Sequence, residues 1–107
     1  MSRMTRAQIE ALTMQVTDLL MFGRENARTR REICDKTGYS DRVVREIIEA
    51  ARDNGWLICN DQDGRGYYLG WTADEIEAQF KRDHARAMSI LTRLKPFRHR
   101  LREEGRL

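Results

Sequence analysis

The stretch Thr29–Gly55, TRREICDKTGYSDRVVREIIEAARDNG, decides the fold because it holds two helical patterns joined by a short connection. Thr29 and Glu32 stand at the spacing of a capping box, in which each side chain accepts a hydrogen bond from a backbone amide at the start of a helix. Gly38 can take the left-handed conformation that ends a helix. The first pattern therefore predicts a short helix over residues 30–37.

A second helix is predicted directly after this turn, over residues 41–54. Ser40 is a favourable N-cap, and Asn54 with Gly55 can close the helix. Two helices that meet across a short glycine-containing turn have the outline of a helix-turn-helix. The apolar stripe that we expect to face the core comprises Val44, Ile47, Ile48 and Ala51.

A β-hairpin is predicted to follow the two helices. The runs 56–59 and 67–71 are rich in aromatic and β-branched residues, and Asp63 with Gly64 between them favours a turn. An isolated two-stranded hairpin is only marginally stable, so this hairpin must pack on the helices. We expect its apolar side to comprise Trp56, Leu57, Ile58, Tyr68 and Leu69.

Another helix is predicted on the N-terminal side, over residues 5–22. Thr5 and Gln8 repeat the capping-box spacing, and Gly23 is the expected end of the helix. One helical face carries the apolar residues Ile9, Leu12, Val16 and Leu19.

Residues 72–107 predict a long C-terminal helix that begins with a capping box at Thr72 and Glu75. Pro96 should kink or break this helix near residues 94–95, because proline lacks an amide proton and its ring clashes with the preceding turn. The helix also carries a heptad pattern with one acidic interruption. Its positions are Phe80, Ala87, Leu94 and Leu101, and, three residues after each of the first three, Asp83, Ile90 and Phe97.

Together these patterns predict a mainly α fold with a small β-hairpin and a long C-terminal helix. The 107 residues suffice for one small core, so we expect a domain over residues 1–71 followed by a helical segment over residues 72–107. Positive charge is concentrated towards the ends. Residues 40–71 contain four Lys/Arg and six Asp/Glu, whereas residues 72–107 contain nine and six.

Membrane spans, disulfides, metal sites and catalysis find little support in the sequence. The apolar stretch 16–22 is too short to cross a bilayer core of about 30 Å, and no signal-peptide pattern is present, so we expect a cytoplasmic protein without a membrane partner. Cys34 and Cys59 lack the spacing of a zinc or disulfide motif, which predicts two reduced, buried thiols. We expect no cofactor and no enzymatic activity, because the neighbours Asp83 and His84 do not face each other on a helix.

The order of these patterns resembles the winged helix-turn-helix family of DNA-binding proteins, especially small prophage-type regulators and replication-associated proteins. The resemblance covers roughly half to two thirds of the chain. It is carried by Arg30-Arg31-Glu32-Ile33, Thr37-Gly38-Tyr39-Ser40, Arg42, Val44-Arg45, Ile47-Ile48, Asn54-Gly55-Trp56 and Gly64-Arg65-Gly66-Tyr67-Tyr68-Leu69.

This resemblance implies a DNA-binding protein, in particular a transcriptional regulator, whose second helix enters the major groove of double-stranded DNA. Arg42 and Arg45 face outward near the start of that helix, where a guanidinium can bridge the two acceptors of guanine or grip a phosphate. The alternative is a solvated helix face on which Arg45 pairs with Glu49. The predicted DNA-binding residues are Thr29, Arg30, Arg31, Ser40, Asp41, Arg42, Arg45 and Arg65.

Residues outside that helix have supporting roles in this interpretation. Residues 29–31 start the preceding helix, where free amides favour a phosphate, although capping alone also explains Thr29. Arg65 lies between two glycines at the expected wing tip, which lets the loop approach DNA closely. Asp61 and Asp63 flank it and repel phosphate, so the sequence predicts weak DNA binding by a single copy.

The C-terminal helix is therefore predicted to join two copies into a homodimer, whose two weak DNA contacts would combine. The residues expected at this contact are Phe80, Ala87, Ile90, Leu94 and Phe97. Packing of Ile76, Phe80 and Ile90 on the first helix of the same chain is the alternative. The basic residues after Arg93 can contact phosphates or an acidic partner, or form a solvated tail.

A function of a different class also fits the sequence. Winged-helix folds bind proteins as well as DNA, and an acidic central region followed by a basic helix suits assembly into a larger complex. A protein-interaction or assembly module of a phage-type replication or packaging complex is therefore the alternative hypothesis, with a protein partner in place of DNA.

Overall fold

The computed structural model describes residues 4–107, which are mainly helical and include a two-stranded antiparallel β-hairpin. The chain divides into two compact units: a first unit that ends at Ile76 and a second unit, Glu77–Leu107. The prediction of a mainly α chain with a small hairpin and a long C-terminal helix is confirmed. The elements are α1 (Arg6–Leu19), a 3-10 helix (Arg24–Asn26), α2 (Arg30–Thr37), α3 (Asp41–Asp53), β1 (Ile58–Asn60), β2 (Tyr67–Leu69), α4 (Ala73–Arg93) and α5 (Lys95–Glu103).

Helices α2 and α3 form where the sequence predicts them. Thr29 and Glu32 make the reciprocal hydrogen bonds of the capping box, and Gly38 ends α2 with a φ of 77°. Ser40 caps α3 by accepting a hydrogen bond from the amide of Val43 at 3.3 Å. These boundaries are fixed by side chains that satisfy backbone groups only two to four residues away, which is why local sequence predicts them.

The core of the first unit forms where α1, α2, α3 and the hairpin meet. The predicted apolar stripe of α3 is completely buried, and so is Ile33 of α2. Burying one aliphatic side chain of this size contributes about 1.5–3 kcal/mol relative to leaving it exposed. The core cluster comprises Val16, Leu20, Ile33, Val44, Ile47, Ile48, Ala51, Ile58 and Leu69.

The capping box at the start of α1 is present as predicted, but the helix ends at Leu19. The prediction that it continues to residue 22 and ends at Gly23 is wrong. Leu20 already has extended backbone angles, and the carbonyl of Met21 accepts a hydrogen bond from the amide of Leu69 at 2.8 Å. Gly23 instead starts the 3-10 helix with a φ of 93°. Pairing with the hairpin therefore overrides the helical pattern of these residues.

Strand β2 forms backbone hydrogen bonds on both of its edges. On one edge it pairs with β1 in antiparallel register, with Cys59 opposite Tyr68. On the other edge, Arg28 and Tyr67 exchange two backbone hydrogen bonds of 2.9 and 2.7 Å. The pairing of residues 22–28 was not expected, because they lack the alternation of a strand. The loop before α2 is thus held against the hairpin.

The two strands bury different side chains on their two faces. Ile58 and Leu69 belong to the core cluster, whereas Tyr68 is fully buried on the opposite face, as the period of two along a strand requires. Trp56 and Leu57 are 43% and 55% exposed. The prediction that they line the apolar side of the hairpin is therefore wrong, because β1 begins only after them.

The first turn of α4 holds the end of the hairpin and the 3-10 helix together. The carboxylate of Glu75 accepts hydrogen bonds from the amides of Arg24 at 2.9 Å, Trp71 at 2.9 Å and Thr72 at 3.1 Å. These bonds, that from Arg24 first, hold the pKa of the buried Glu75 below its ordinary value. The amide of Glu75 in turn donates to the Thr72 hydroxyl, which confirms the predicted capping box.

The predicted break of the C-terminal helix is also confirmed. Helix α4 ends at Arg93, α5 begins at Lys95, and Pro96 lies in the first turn of α5. Proline has no amide proton to donate to the carbonyl of Thr92, one turn earlier, so the hydrogen-bond ladder is interrupted there. Within residues 4–107, no helix combines the length and the apolar character that crossing a membrane requires.

Candidate nucleic-acid interface

The N-terminal half of α3 presents a polar face to solvent. Ser40, Asp41, Arg42 and Arg45 are all exposed, as expected from the burial of the opposite face. Ser40 is occupied as the N-cap of the helix. The side chains of Arg42 and Arg45 are 57% and 59% exposed, so an external ligand can reach both guanidinium groups.

Each of these arginines has an acidic partner. The carboxylate of Asp41 contacts Nε of Arg45 at 3.2 Å and also accepts a hydrogen bond from Nε of Arg30 on α2. Arg42 contacts Glu46 at 3.3 Å. Arg45 thus pairs with Asp41 and not with Glu49. Exposed ion pairs contribute only about 0.2–1 kcal/mol, so a phosphate or a base edge can replace the acidic partner at low cost.

Arg30 connects α2, α3 and β2. Besides Asp41, it contacts the hydroxyl of Tyr67, to which its Nη1 donates at 3.4 Å. These hydrogen bonds, that with Tyr67 first, raise the pKa of Arg30. The neighbouring Thr29 is half-buried and serves as the cap of α2, whereas Arg31 is exposed and forms no ion pair within residues 4–107. Tyr67 is a site residue that sequence analysis did not predict.

An open groove of about 370 Å³ lies between the start of α2 and the loop of the hairpin. Gly66 adopts a φ of 100°, and a Cβ atom on it would overlap the carbonyl group of Arg28. This close approach brings the hairpin loop against the start of α2. The groove is lined by Thr29, Arg30, Arg31, Asn60, Gln62, Gly64, Gly66 and Tyr67.

Arg65 lies in the exposed loop of the hairpin, as predicted. Its Nε contacts the carboxylate of Asp63 at 3.3 Å, and its amide donates to the same carboxylate at 3.0 Å. The side chain remains 67% exposed. Asp63 thus neutralises Arg65 in the free protein and also shapes the turn that presents it.

The second acidic residue of the loop, Asp61, is directed inward. Its carboxylate accepts hydrogen bonds from Nε of Arg24 and from the hydroxyl of Tyr68, the latter at 2.7 Å, and its side chain is only 14% exposed. Burial, followed by this bond to Asp61, raises the pKa of Tyr68 to about 12. Asp61 is therefore already neutralised by Arg24 and does not oppose a phosphate as the sequence suggested.

The residues predicted to join two copies lie in the second unit, on α4, on α5 and at Leu94 between them. Phe80 is 65% exposed, Ile90 and Leu94 are each 42% exposed, Phe97 is 66% exposed, and Ala87 is exposed too. Phe80 stacks on His84, with 5.6 Å between the ring centres. Homodimerisation through these five residues stays a prediction.

Cys34 is half-buried and Cys59 is buried, and no disulfide joins them, so the prediction of a buried thiol is confirmed for Cys59. In the part of the chain that the structure describes, no three His, Cys, Asp or Glu side chains are arranged to bind a metal ion.

Comparisons of the chain with protein-family models, with curated proteins and with solved structures give no match. Functional inference therefore rests on the residues of this chain and on their geometry.

Proposed function

We propose that the protein binds double-stranded DNA in the cytoplasm and acts as a transcriptional regulator. Helix α3 would lie in the major groove, and the hairpin loop at Arg65 would contact the DNA beside it. The observation that carries this proposal is the exposed face at the start of α3, where Arg42 and Arg45 are accessible and only weakly paired. The sequence resemblance to winged helix-turn-helix proteins supports the same orientation.

The geometry around α3 supports contact at more than one point. Arg30 is joined to α3 through Asp41, and Arg31 beside it is exposed. Free amides at the start of α2 and these two guanidinium groups suit phosphate oxygens, which position a protein on the duplex without reading its sequence. Arg42 and Arg45 are then the candidates for base contacts.

The balance of charge sets the expected strength of this binding. Four Lys/Arg and six Asp/Glu occupy residues 40–71, but Asp61 is neutralised inside the fold and does not face a ligand. Asp41, Glu46 and Asp63 are the acids that a phosphate must displace. We therefore expect modest affinity with a marked dependence on salt.

The first test is fluorescence anisotropy of a labelled duplex of about 20 base pairs at about 50 mM and about 200 mM salt. Native protein should bind at the lower salt. The variant Arg42→Ala/Arg45→Ala should bind at least about tenfold more weakly, because two guanidinium contacts to base edges are lost.

The matched control is Arg6→Ala/Lys81→Ala. It also removes two exposed cations that form ion pairs four residues apart, with Glu10 and Glu77, but on α1 and α4. Its affinity should stay within about twofold of native. Equal losses in both variants, or no binding by the native protein at the lower salt, would reject the α3 interface.

A protein-interaction or assembly role, for example in a phage-type replication or packaging complex, is the second proposal. A groove of about 330 Å³ beside β2 is bordered by exposed apolar side chains, with Phe22 and Trp71 in edge-on contact at 5.3 Å. Trp56 and Leu57 also line it. Exposed aromatic patches often mark sites of protein contact. The residues that line this groove include no Lys or Arg that could contact a DNA phosphate. DNA binding that depends on Arg42 and Arg45 separates the two proposals.

A further inference from the structure

The second unit exposes an apolar stripe over residues 87–101. Neither the part of α4 after Ile76 nor α5 contains a buried residue. Helices with so little burial gain almost nothing from packing, and isolated helices are marginal in water. The stripe consists of Ala87, Ile90, Leu91, Leu94, Phe97 and Leu101, each of which lies three or four residues from another member and so on one helical face.

Both borders of this stripe are basic. Arg86, Arg93 and Arg100 recur every seven residues along one border, and Lys95, Arg98 and Arg102 fall on the other. Residues 85–102 contain no acidic side chain. Within residues 4–107, Arg100 pairs with Glu104, whereas the other five border cations form no ion pair. The arginines at the start of α3, in contrast, all have acidic partners.

These cations argue against a second copy as the occupant of the stripe. In either orientation of two identical helices, the borders would bring arginine against arginine, and like charges repel each other. An acidic partner reverses the sign of every such pair. Asp83, on the same helical face one turn before the stripe, and the helix break at Pro96 further interrupt the continuous packing that two identical helices need.

The apolar side chains likewise argue against DNA or a lipid surface as the main ligand. DNA phosphates would contact the border arginines, but DNA would leave Leu94 and Leu101 exposed to water. Insertion into a bilayer would bring the carboxylate of Asp83, on the same helical face one turn before the stripe, towards hydrocarbon, where a charged group is costly. An amphipathic helix with acidic borders would pack its apolar face on the stripe and pair its carboxylates with the border cations.

We propose that the second unit is a docking surface for an acidic amphipathic helix of another protein. The partner helix presents apolar residues at three- and four-residue spacing, with Asp or Glu on both sides. This proposal does not depend on DNA binding by α3, because it concerns different residues and a different ligand.

The test uses the full chain and two labelled peptides of about four heptads, with leucine at positions a and d. One peptide has glutamate at positions e and g, and the other has lysine there. Fluorescence anisotropy should show binding of the glutamate peptide and no binding of the lysine peptide. Leu94→Ser should lower the affinity for the glutamate peptide by about tenfold, because the apolar contact made by the Leu94 side chain is lost.

A charge exchange separates recognition from a loss of folding. Arg93→Glu should weaken binding of the glutamate peptide by about threefold to tenfold and should strengthen binding of the lysine peptide. Arg6→Glu makes the same change of charge on α1 of the first unit and should alter neither affinity by more than about twofold. A misfolded chain cannot produce a gain for one peptide beside a loss for the other.

The proposal is overturned if the two peptides bind with equal affinity, or if neither peptide binds. The stripe belongs to a second copy if the native protein has the solution mass of a dimer, Leu94→Ser has the mass of a monomer, and the glutamate peptide does not bind. Binding of labelled duplex or of phosphatidylglycerol vesicles that Leu94→Ser abolishes, again without binding of the glutamate peptide, assigns it to DNA or to a membrane surface.

Discussion

Single residues bring the hairpin loop and the start of α2 together. Gly66 allows the two backbones to touch, and Asp63 forms the turn that carries Arg65. Asp41 holds Arg30 and Arg45 on neighbouring helices. In each case one small or acidic residue decides where a cation is presented, so the geometry of the candidate interface is sensitive to individual substitutions.

Gly66→Ala should destabilise the protein by about 3 kcal/mol or more, because the added Cβ overlaps the backbone of Arg28 and the left-handed φ is unfavourable. Gly64→Ala is the matched control, since Gly64 also has a positive φ of 86° but nothing lies within 4 Å of its Cβ position. It should cost about 1–2 kcal/mol. Urea unfolding measures both changes, and equal costs would show that the close approach is unimportant.

At the scale of elements, the first turn of α4 stabilises the first unit by satisfying three amides with one carboxylate. The 3-10 helix, the end of β2 and α4 all depend on Glu75. The pKa of Glu75 is lower in the folded state than in the unfolded chain. Its contribution to stability is therefore fully present above the ordinary pKa and is lost as the pH falls through the lowered, folded-state pKa.

Glu75→Gln should consequently lower the free energy of unfolding at pH 7, and the difference from native should shrink towards about pH 3. Glu49→Gln removes an exposed carboxylate from α3 and should show a much smaller difference at both pH values. Urea unfolding at the two pH values measures the effect. A difference for Glu75→Gln that is independent of pH would mean that the carboxylate charge is not what stabilises this junction.

At the scale of the whole molecule, buried side chains and unneutralised charge are found in different units. The core cluster lies entirely in the first unit, whereas α5 has no buried residue. Residues 1–76 contain eleven Lys/Arg and thirteen Asp/Glu, and residues 77–107 contain nine and four. One unit is therefore stabilised by its own core, and the other combines helices that bury few side chains with an excess of positive charge.

Amide hydrogen exchange should reveal this difference directly. The amides of Ile47 and Tyr68 should be protected at least about a hundredfold more strongly than those of residues 85–102, because only the former lie in a packed core. Addition of the glutamate peptide should slow exchange in residues 85–102 and leave Ile47 unchanged. Equal protection of the two units without a ligand would contradict the separation.

The sequence by itself determined the elements whose ends depend on near neighbours. The capping boxes, the left-handed Gly38, the buried stripe of α3 and the break before Pro96 each involve residues no more than a few positions apart. The same is true of the outward position of Arg42 and Arg45, which follows from the burial of the opposite face.

Only the tertiary structure decided the features that depend on distant residues. Arg24 neutralises Asp61 across 37 positions of sequence, and Arg30 reaches Tyr67 across the same separation. Helix α1 ends early because residues 22–28 pair with β2, and no local sequence pattern predicts that pairing. Helical periodicity describes which side of a segment is apolar, but the hydrogen bonds offered by a distant strand decide whether the segment remains a helix.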